Sequence, residues 1–322
     1  MIVLEDIKWQ PKWVSHLGCL KGCLDYLNVE VSDAWLYGAS GHAFVINIHE
    51  ELCPSAPTAW NTERMTELCE NVGCDIQTIF AHKSQMDFAE KQALAWTEVR
   101  SAIDDKQPCY GWELEIPEFY VIHGYDDVGY YFSGPSCDDG KSPKAWQKLG
   151  DSEIGMLEVY IVRRAESKNV ERIVKDAFQF ALDHARDSEQ WTFPKYSTGL
   201  AGYDSWINAL RENKADAFGT AYNAAVWAEC RGHAVDFLKE AKGKLDNDLS
   251  PLFDDAITQY TIVSENLIKV SETFPFANIS DEQKVENMQD ETRRTTAIQA
   301  LQSARDAEEK GLAILQQIAE SL

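Results

Sequence analysis

The stretch that decides the fold is residues 109–135, CYGWELEIPEFYVIHGYDDVGYYFSGP. It holds three strand-like runs rich in aromatic and branched residues, and the turn at 126–129 (DDVG) separates the last two. A fourth run of this kind, MLEVYIVRR, follows at 156–164. Because consecutive strands joined by short connections pair side by side, the region predicts an antiparallel sheet.

The residues ahead of these strands are mostly helical in pattern. The run GCLKGCLDYL at 18–27 spaces its apolar side chains as one helical stripe, with Cys19 at the start of the helix. A Gly-rich turn then leads into HAFVINI at 42–48, which is typical of a strand, and 62–74 and 86–104 are predicted helices. Helices followed by an antiparallel sheet indicate an α+β fold and not an alternating βαβ one.

The pattern changes beyond Ala165, where almost no strand signal is left. The predicted helices there cover 168–188, 203–212, 215–245, 250–274 and 280–321. A chain of 322 residues is long enough for two domains. We therefore predict an α+β domain at 1–165 and an all-α helical domain at 166–322.

Charge and composition exclude several classes of protein. Lys and Arg number 30 against 53 Asp and Glu, and the net charge of -23 repels nucleic acid and anionic membrane surfaces. The sequence has no signal-peptide pattern and no run of apolar residues of membrane-spanning length, so a cytoplasmic location is expected. The eight cysteines include no CxxC pair, so reduced thiols, no metal and no cofactor are expected.

Several of these segments resemble a known family. HLGCLKGCLDYL at 16–27, LYGASGHAF at 36–44 and the strands from 108 to 164 are similar to the N-terminal domain of butirosin biosynthesis protein H type acyltransferases. That domain is itself similar to the double-glycine leader peptidases. The hairpin GYDDVGYY at 124–131 is the most specific element, and the resemblance covers roughly half of the chain. It implies a papain-like cysteine-peptidase fold, followed here by the helical region.

Catalysis on such a fold needs a thiolate at a helix N-terminus, an imidazole on the facing sheet and a group that orients the imidazole. Cys19 is the candidate nucleophile, because the N–H groups and dipole of a helix start stabilise a thiolate. The alternative is a small buried hydrophobe. The resemblance places the family's histidine where this chain has Glu118, and its Asp-Pro pair where this chain has Gly134-Pro135. Base and orienting acid are thus both missing.

Two residues could replace the missing base. His42 follows a Gly-rich turn that can bring it close to a pocket, and it is either a proton acceptor or a group that hydrogen-bonds the turn. Glu118 is either an acid or base with a raised pKa or a solvated strand end. His123 lies an odd number of residues beyond Glu118, so strand alternation predicts the opposite face and a structural role. The predicted substrate-binding residues are Gly41, Trp112, His123 and Tyr125.

Two functions follow from this pattern. The first is a cysteine acyltransferase or hydrolase acting on an amide or thioester of a small molecule or peptide, with an acyl-carrier protein as a candidate partner. The second is a catalytically inactive papain-like protein that binds a small molecule or peptide or serves as a scaffold. The helical region would stabilise the first domain, cover its cleft or form a homodimer.

Overall fold

The computed structural model describes residues 1–137, 142–245 and 248–322. The strands in these ranges are β1 Ile2–Val3, β2 Asn47–His49, β3 Cys74–His82, β4 Cys109–Trp112, β5 Phe119–Tyr125, β6 Gly129–Ser133, β7 Lys144–Ala145, β8 Met156–Arg164 and β9 Tyr196–Thr198. The α-helices are α1 Ser15–Tyr26, α2 Asp33–Ala39, α3 Glu63–Glu67, α4 Phe88–Asp104, α5 Val170–Arg186, α6 Ser188–Trp191, α7 Gly199–Arg211, α8 Ala217–Leu245, α9 Ser250–Thr273, α10 Asp281–Gln289 and α11 Glu291–Ser321. The predicted α+β class, with an antiparallel sheet and a helical C-terminal region, is confirmed.

The chain forms two compact units. The first comprises residues 1–32 and 72–167 and holds the large sheet, and the second comprises 33–71 and 168–322 and is mainly helical. The segment 33–71 therefore groups with the C-terminal helices. The division into sequence domains at 165 and 166 stays a prediction. None of the helices in the described part of the chain has the length and apolar content needed to cross a membrane.

The sheet of the first unit has the order β3-β8-β4-β5-β6-β7, with β1 added beside β5. All its pairings are antiparallel, and β3 and β8 stay in one register over nine residue pairs. A register shift between Ile122 and Gly124 interrupts the pairing of β5 with β6. Such a bulge breaks the strict alternation of side chains along a strand.

Two helices cover opposite faces of this sheet. Tyr110 of β4 and Tyr160 of β8 pair in register and stack with ring centroids 4.8 Å apart. His16 of α1 packs against both rings, at 5.2 and 5.0 Å. Trp96 of α4 packs 5.1 Å from Tyr130, which the strand registers place on the other side. Aromatic side chains thus fix one helix on each face of the sheet.

The predicted strand HAFVINI forms only in part. Residues His42–Phe44 are a short 3-10 helix, and extended pairing begins at Asn47, where β2 joins β9. The cause is a contact from far along the chain, because the Arg231 guanidinium binds the carbonyl oxygens of residues 43–45 at 2.8 to 3.1 Å. Tertiary hydrogen bonds have overridden the local strand preference.

The predicted helix at 280–321 is in fact two helices. α10 ends at Gln289 and α11 begins at Glu291. Asp290 lies between them with extended backbone, and its carboxylate accepts hydrogen bonds from the N–H groups of Thr292 and Arg293. Such a side chain caps the start of a new helix and so ends the one before it.

A buried ion pair lies at the centre of the second unit. Arg231 of α8 donates through Nε and Nη2 to the two carboxylate oxygens of Glu308 in α11, both at 2.9 Å. Their side chains are 0% and 1% exposed. The remaining guanidinium donors hold the carbonyls of residues 43–45, and the Tyr203 hydroxyl donates to Glu308 at 3.1 Å. Two charges this deep in a protein are tolerated only when each is fully hydrogen-bonded.

Replacing Arg231 with alanine should therefore destabilise the second unit strongly. Arg231→Ala leaves the Glu308 carboxylate buried without its partner, and we expect a loss of about 3–5 kcal/mol in the free energy of unfolding. Urea unfolding followed by far-ultraviolet circular dichroism measures this loss.

The matched control is Arg305, which also binds a carboxylate with two nitrogens but lies near the surface. Its Nε and Nη2 contact Asp204 at 2.7 and 3.2 Å, and the two side chains are 28% and 51% exposed. Arg305→Ala should cost about 0–1 kcal/mol. Equal losses in the two variants would contradict a special role for Arg231.

Candidate functional site

Cys19 lies inside α1 and not at its start. The helix begins at Ser15, so Cys19 is its fifth residue, beyond the turn whose N–H groups lack helical partners. Its side chain is fully buried. Burial raises the pKa of the thiol well above its usual value, and the nearby charge of Glu118 raises it further. The predicted position at a helix tip is thus corrected, and the surroundings of this thiol favour the protonated form.

Glu118 is held by the first residue of the same helix. It lies immediately before β5, and its carboxylate accepts a short hydrogen bond from the Ser15 hydroxyl. The Ser15 oxygen in turn accepts the N–H of Phe119 at 3.1 Å. Glu118 is only partly exposed. This carboxylate is tied into the contact between α1 and the sheet, and its predicted role as an acid or base stays a prediction.

The α1 side of the sheet carries further polar groups. His16 Nε2 and the Tyr110 hydroxyl are 2.8 Å apart, and the His16 ring lies 4.3 Å from that of Phe119. The Tyr160 hydroxyl donates to Glu158 at 2.8 Å. We call this group the α1-face cluster, and its members are Ser15, His16, Cys19, Tyr110, Glu118, Glu158 and Tyr160.

Glu158 of this cluster also has an unusual acidity. Part of the residue reaches the surface, yet its carboxyl group is buried deeply enough for its pKa to rise to about 7. The hydrogen bond from Tyr160 opposes this rise without cancelling it. A carboxyl group with a pKa near neutrality can give or take a proton under physiological conditions.

His42 belongs to the second unit, whereas Cys19 and Glu118 belong to the first. It is 2% exposed, and its Nδ1 lies 3.6 Å from the sulfur of Cys230. Burial, with a contribution from the charge of Arg231, lowers the pKa of His42 to about 4. Gly41 before it has φ +78° and lies against the Phe180 ring, which an added Cβ would meet at 2.3 Å. The histidine is therefore a neutral core residue of its own unit.

Within the first unit, the predicted binding residues Trp112 and Tyr125 lie on opposite faces of the sheet. Trp112 packs 4.9 Å from Phe119, on the face covered by α1. Tyr125 packs 5.9 Å from Trp96 of α4, on the opposite face. His123 lies at the β5 bulge, where burial lowers its pKa, so the alternation used to orient it relative to Glu118 does not apply. Gly41 lies in the second unit.

Comparison with known proteins adds no further constraint on this site. No protein-family model matches the sequence, and neither does any curated protein. Within the described ranges, no group of three or more His, Cys, Asp or Glu residues has an arrangement that could hold a metal ion. The function of this chain is therefore inferred from the geometry of the α1-face cluster.

The sequence analysis did not identify several members of this cluster. One signal was available for Glu158, because it is the single acidic residue in the run MLEVYIVRR and shares a strand face with Tyr160. No comparable signal pointed to Ser15 or His16, since their partners come from strands roughly a hundred residues away. Only the folded chain brings these groups together.

The acidity of Glu158 should make stability depend on pH. The pKa is about 7 in the fold against an ordinary 4.5. Between these values the folded chain holds a proton here that the unfolded chain has lost, so the stabilising contribution falls as pH rises and is lost above pH 7. Glu158→Gln cannot ionise, so its free energy of unfolding relative to the parent should rise between about pH 4 and about pH 8.

Urea unfolding at the two pH values measures this difference. Glu153→Gln, which alters an exposed carboxylate in the loop before β8, is the control and should follow the parent chain at both. A raised pKa of Glu158 is contradicted if the free energies of unfolding of Glu158→Gln and Glu153→Gln change with pH in the same way.

Proposed function

We propose that this chain is a non-catalytic papain-like protein that acts as a binding or scaffold module for a small molecule or peptide. The observation that carries the proposal is the state of Cys19, whose side chain is fully buried and whose pKa is raised by burial. A nucleophilic cysteine requires the thiolate form and access to the substrate. Cys19 has neither.

The papain-like frame is supported by the arrangement of the first unit. α1, which carries the cysteine, packs across the strands β4, β5 and β8 of an antiparallel sheet, with Glu118 at the start of β5. A helix bearing the cysteine against a sheet bearing its partner is the arrangement that the resemblance implies. In this chain the contact is filled with aromatic rings and hydrogen bonds.

The remaining candidates for a triad also support a non-catalytic role. The Glu118 carboxylate accepts a hydrogen bond from the Ser15 hydroxyl. Its charge raises the pKa of Cys19 and so opposes thiolate formation. His42 is neutral, buried and next to Cys230. An enzyme that loses both the base and the orienting group of its triad keeps only a small fraction of its rate enhancement.

The second candidate is the cysteine acyltransferase or hydrolase, with an acyl-carrier protein among its candidate partners. One observation favours it, namely that Glu118 lies close enough to Cys19 for their charges to interact. A carboxylate in that position could accept the thiol proton if α1 moved and exposed the sulfur. The two candidates differ in the reactivity of a single thiol.

Alkylation with iodoacetamide at about pH 6 separates them. Cys53 and Cys137 are the partly exposed cysteines, and the other six are buried. We expect slow modification of Cys53 and Cys137 and none of Cys19, measured by peptide mass spectrometry. Selective modification of Cys19 at this pH would overturn the proposal and favour the enzyme.

The control is the double variant Cys53→Ser/Cys137→Ser. In the native state it should take up almost no reagent, and after unfolding in urea its remaining cysteines should all react. Rapid labelling of the native double variant would mean that a buried thiol is exposed by motion of the chain.

A further inference from the structure

One edge of the large sheet is a long strand, β3, beside whose outer side no further strand lies among the described residues. β3 pairs with β8 along its whole length, and it is the outermost strand at that edge. The Lys83 N–H donates to the Gly155 carbonyl at 2.8 Å, and the Ala165 N–H to the Gly73 carbonyl at 2.9 Å. In this antiparallel register the odd-numbered residues of β3 bond to β8, so the even-numbered ones direct their N–H and C=O groups outward.

Five even-numbered residues lie on β3, and Ile76, Thr78 and Phe80 are the middle three. Among the described residues, no backbone hydrogen bond reaches the outward groups of Ile76, Thr78 and Phe80. The next even residue, His82, is already engaged, since its N–H donates to the Gln85 side chain at 2.9 Å and its carbonyl accepts the Gln85 N–H at 2.8 Å. The unpaired part of the edge is therefore centred on Thr78.

This edge lacks the features that usually prevent pairing between sheets. β3 contains no proline, glycine or lysine, and its register with β8 has no bulge. The strand at the opposite end of the sheet, β7, has only two residues. Phe80 is 49% exposed on β3, and Thr78 is exposed as well. A long flat edge of this kind is suited to bind another strand.

We propose that the occupant is a second copy of this chain, bound antiparallel through β3 about a two-fold axis at Thr78. In that register Thr78 faces its own counterpart, and Ile76 of each copy faces Phe80 of the other. The outward N–H and C=O groups then pair completely within one symmetric contact. Side-chain contacts between two threonines and between isoleucine and phenylalanine are favourable across strands.

The charges of the strand fit the same arrangement. Asp75 is the only carboxylate on β3, although the chain carries a net charge of -23. The two-fold axis at Thr78 sets Asp75 of one copy diagonally across from Lys83 of the other, within reach of its ammonium group. Lys83 bonds to the carbonyls of Ser152 and Glu153 in its own chain, and an ammonium group has three donors. The edge is thus a place where two acidic chains can approach each other.

Size-exclusion chromatography with light scattering tests the proposal on the full chain. The expected mass is about twice the 36.4 kDa of one chain, with more dimer as salt is added because salt screens the repulsion between acidic copies. Thr78→Lys sets two ammonium groups face to face at the axis and should give a monomer. Thr97→Lys, at an exposed threonine of α4, should remain dimeric.

Disulfide trapping checks the register in the Cys53→Ser/Cys137→Ser background. Thr78→Cys places two sulfurs on either side of the axis, at a Cα separation of about 5.5 Å that a disulfide can span, whereas Thr97→Cys should not cross-link. A monomeric parent chain would overturn the proposal. So would a dimer that Thr78→Lys leaves intact, which would point to the helical region instead. A monomer that binds extended peptides would mean that the edge serves another protein.

Discussion

The second unit depends on the contact between Arg231 and Glu308. Removing two charges from water is costly, and the cost is offset only because every guanidinium donor has an acceptor within 3.1 Å. Three of those acceptors are carbonyls of residues 43–45, so one arginine ties an early segment to α8 and α11 at once. This contact is one of those that group 33–71, which precedes most of the sheet in sequence, with the C-terminal helices.

Local patterns predicted the sheet well, because its strands are rich in branched and aromatic residues and are separated by turn residues. β5, β6 and β8 lie where the sequence placed them. Errors occurred where a distant group or a local cap intervenes. The run HAFVINI has strand-like composition, but the Arg231 guanidinium of α8 binds its carbonyl oxygens. The long predicted terminal helix ends at Asp290, whose carboxylate caps the start of a second helix.

The site was harder to predict than the fold, because reactivity depends on burial and burial is a property of the folded chain. Cys19 occupies a plausible place in the sequence, but a helix that starts four residues earlier takes it away from the tip. Glu118 was considered from the sequence as a replacement acid or base and that role stays a prediction, while its partner Ser15 was not considered. Glu158 became notable only when its carboxyl group was found to be buried, where solvation is poor.

The arrangement of the two units also constrains how the chain can fold during synthesis. Residues 33–71 leave the ribosome before the arginine and the glutamate that complete their surroundings, which lie at 231 and 308. The apolar side chains of Phe44, Ile46 and Ile48, which are buried in the finished protein, must therefore wait until Arg231 and Glu308 have been made. An early segment held in this state is a natural substrate for chaperones, and its exposure time is set by the length of the helical region.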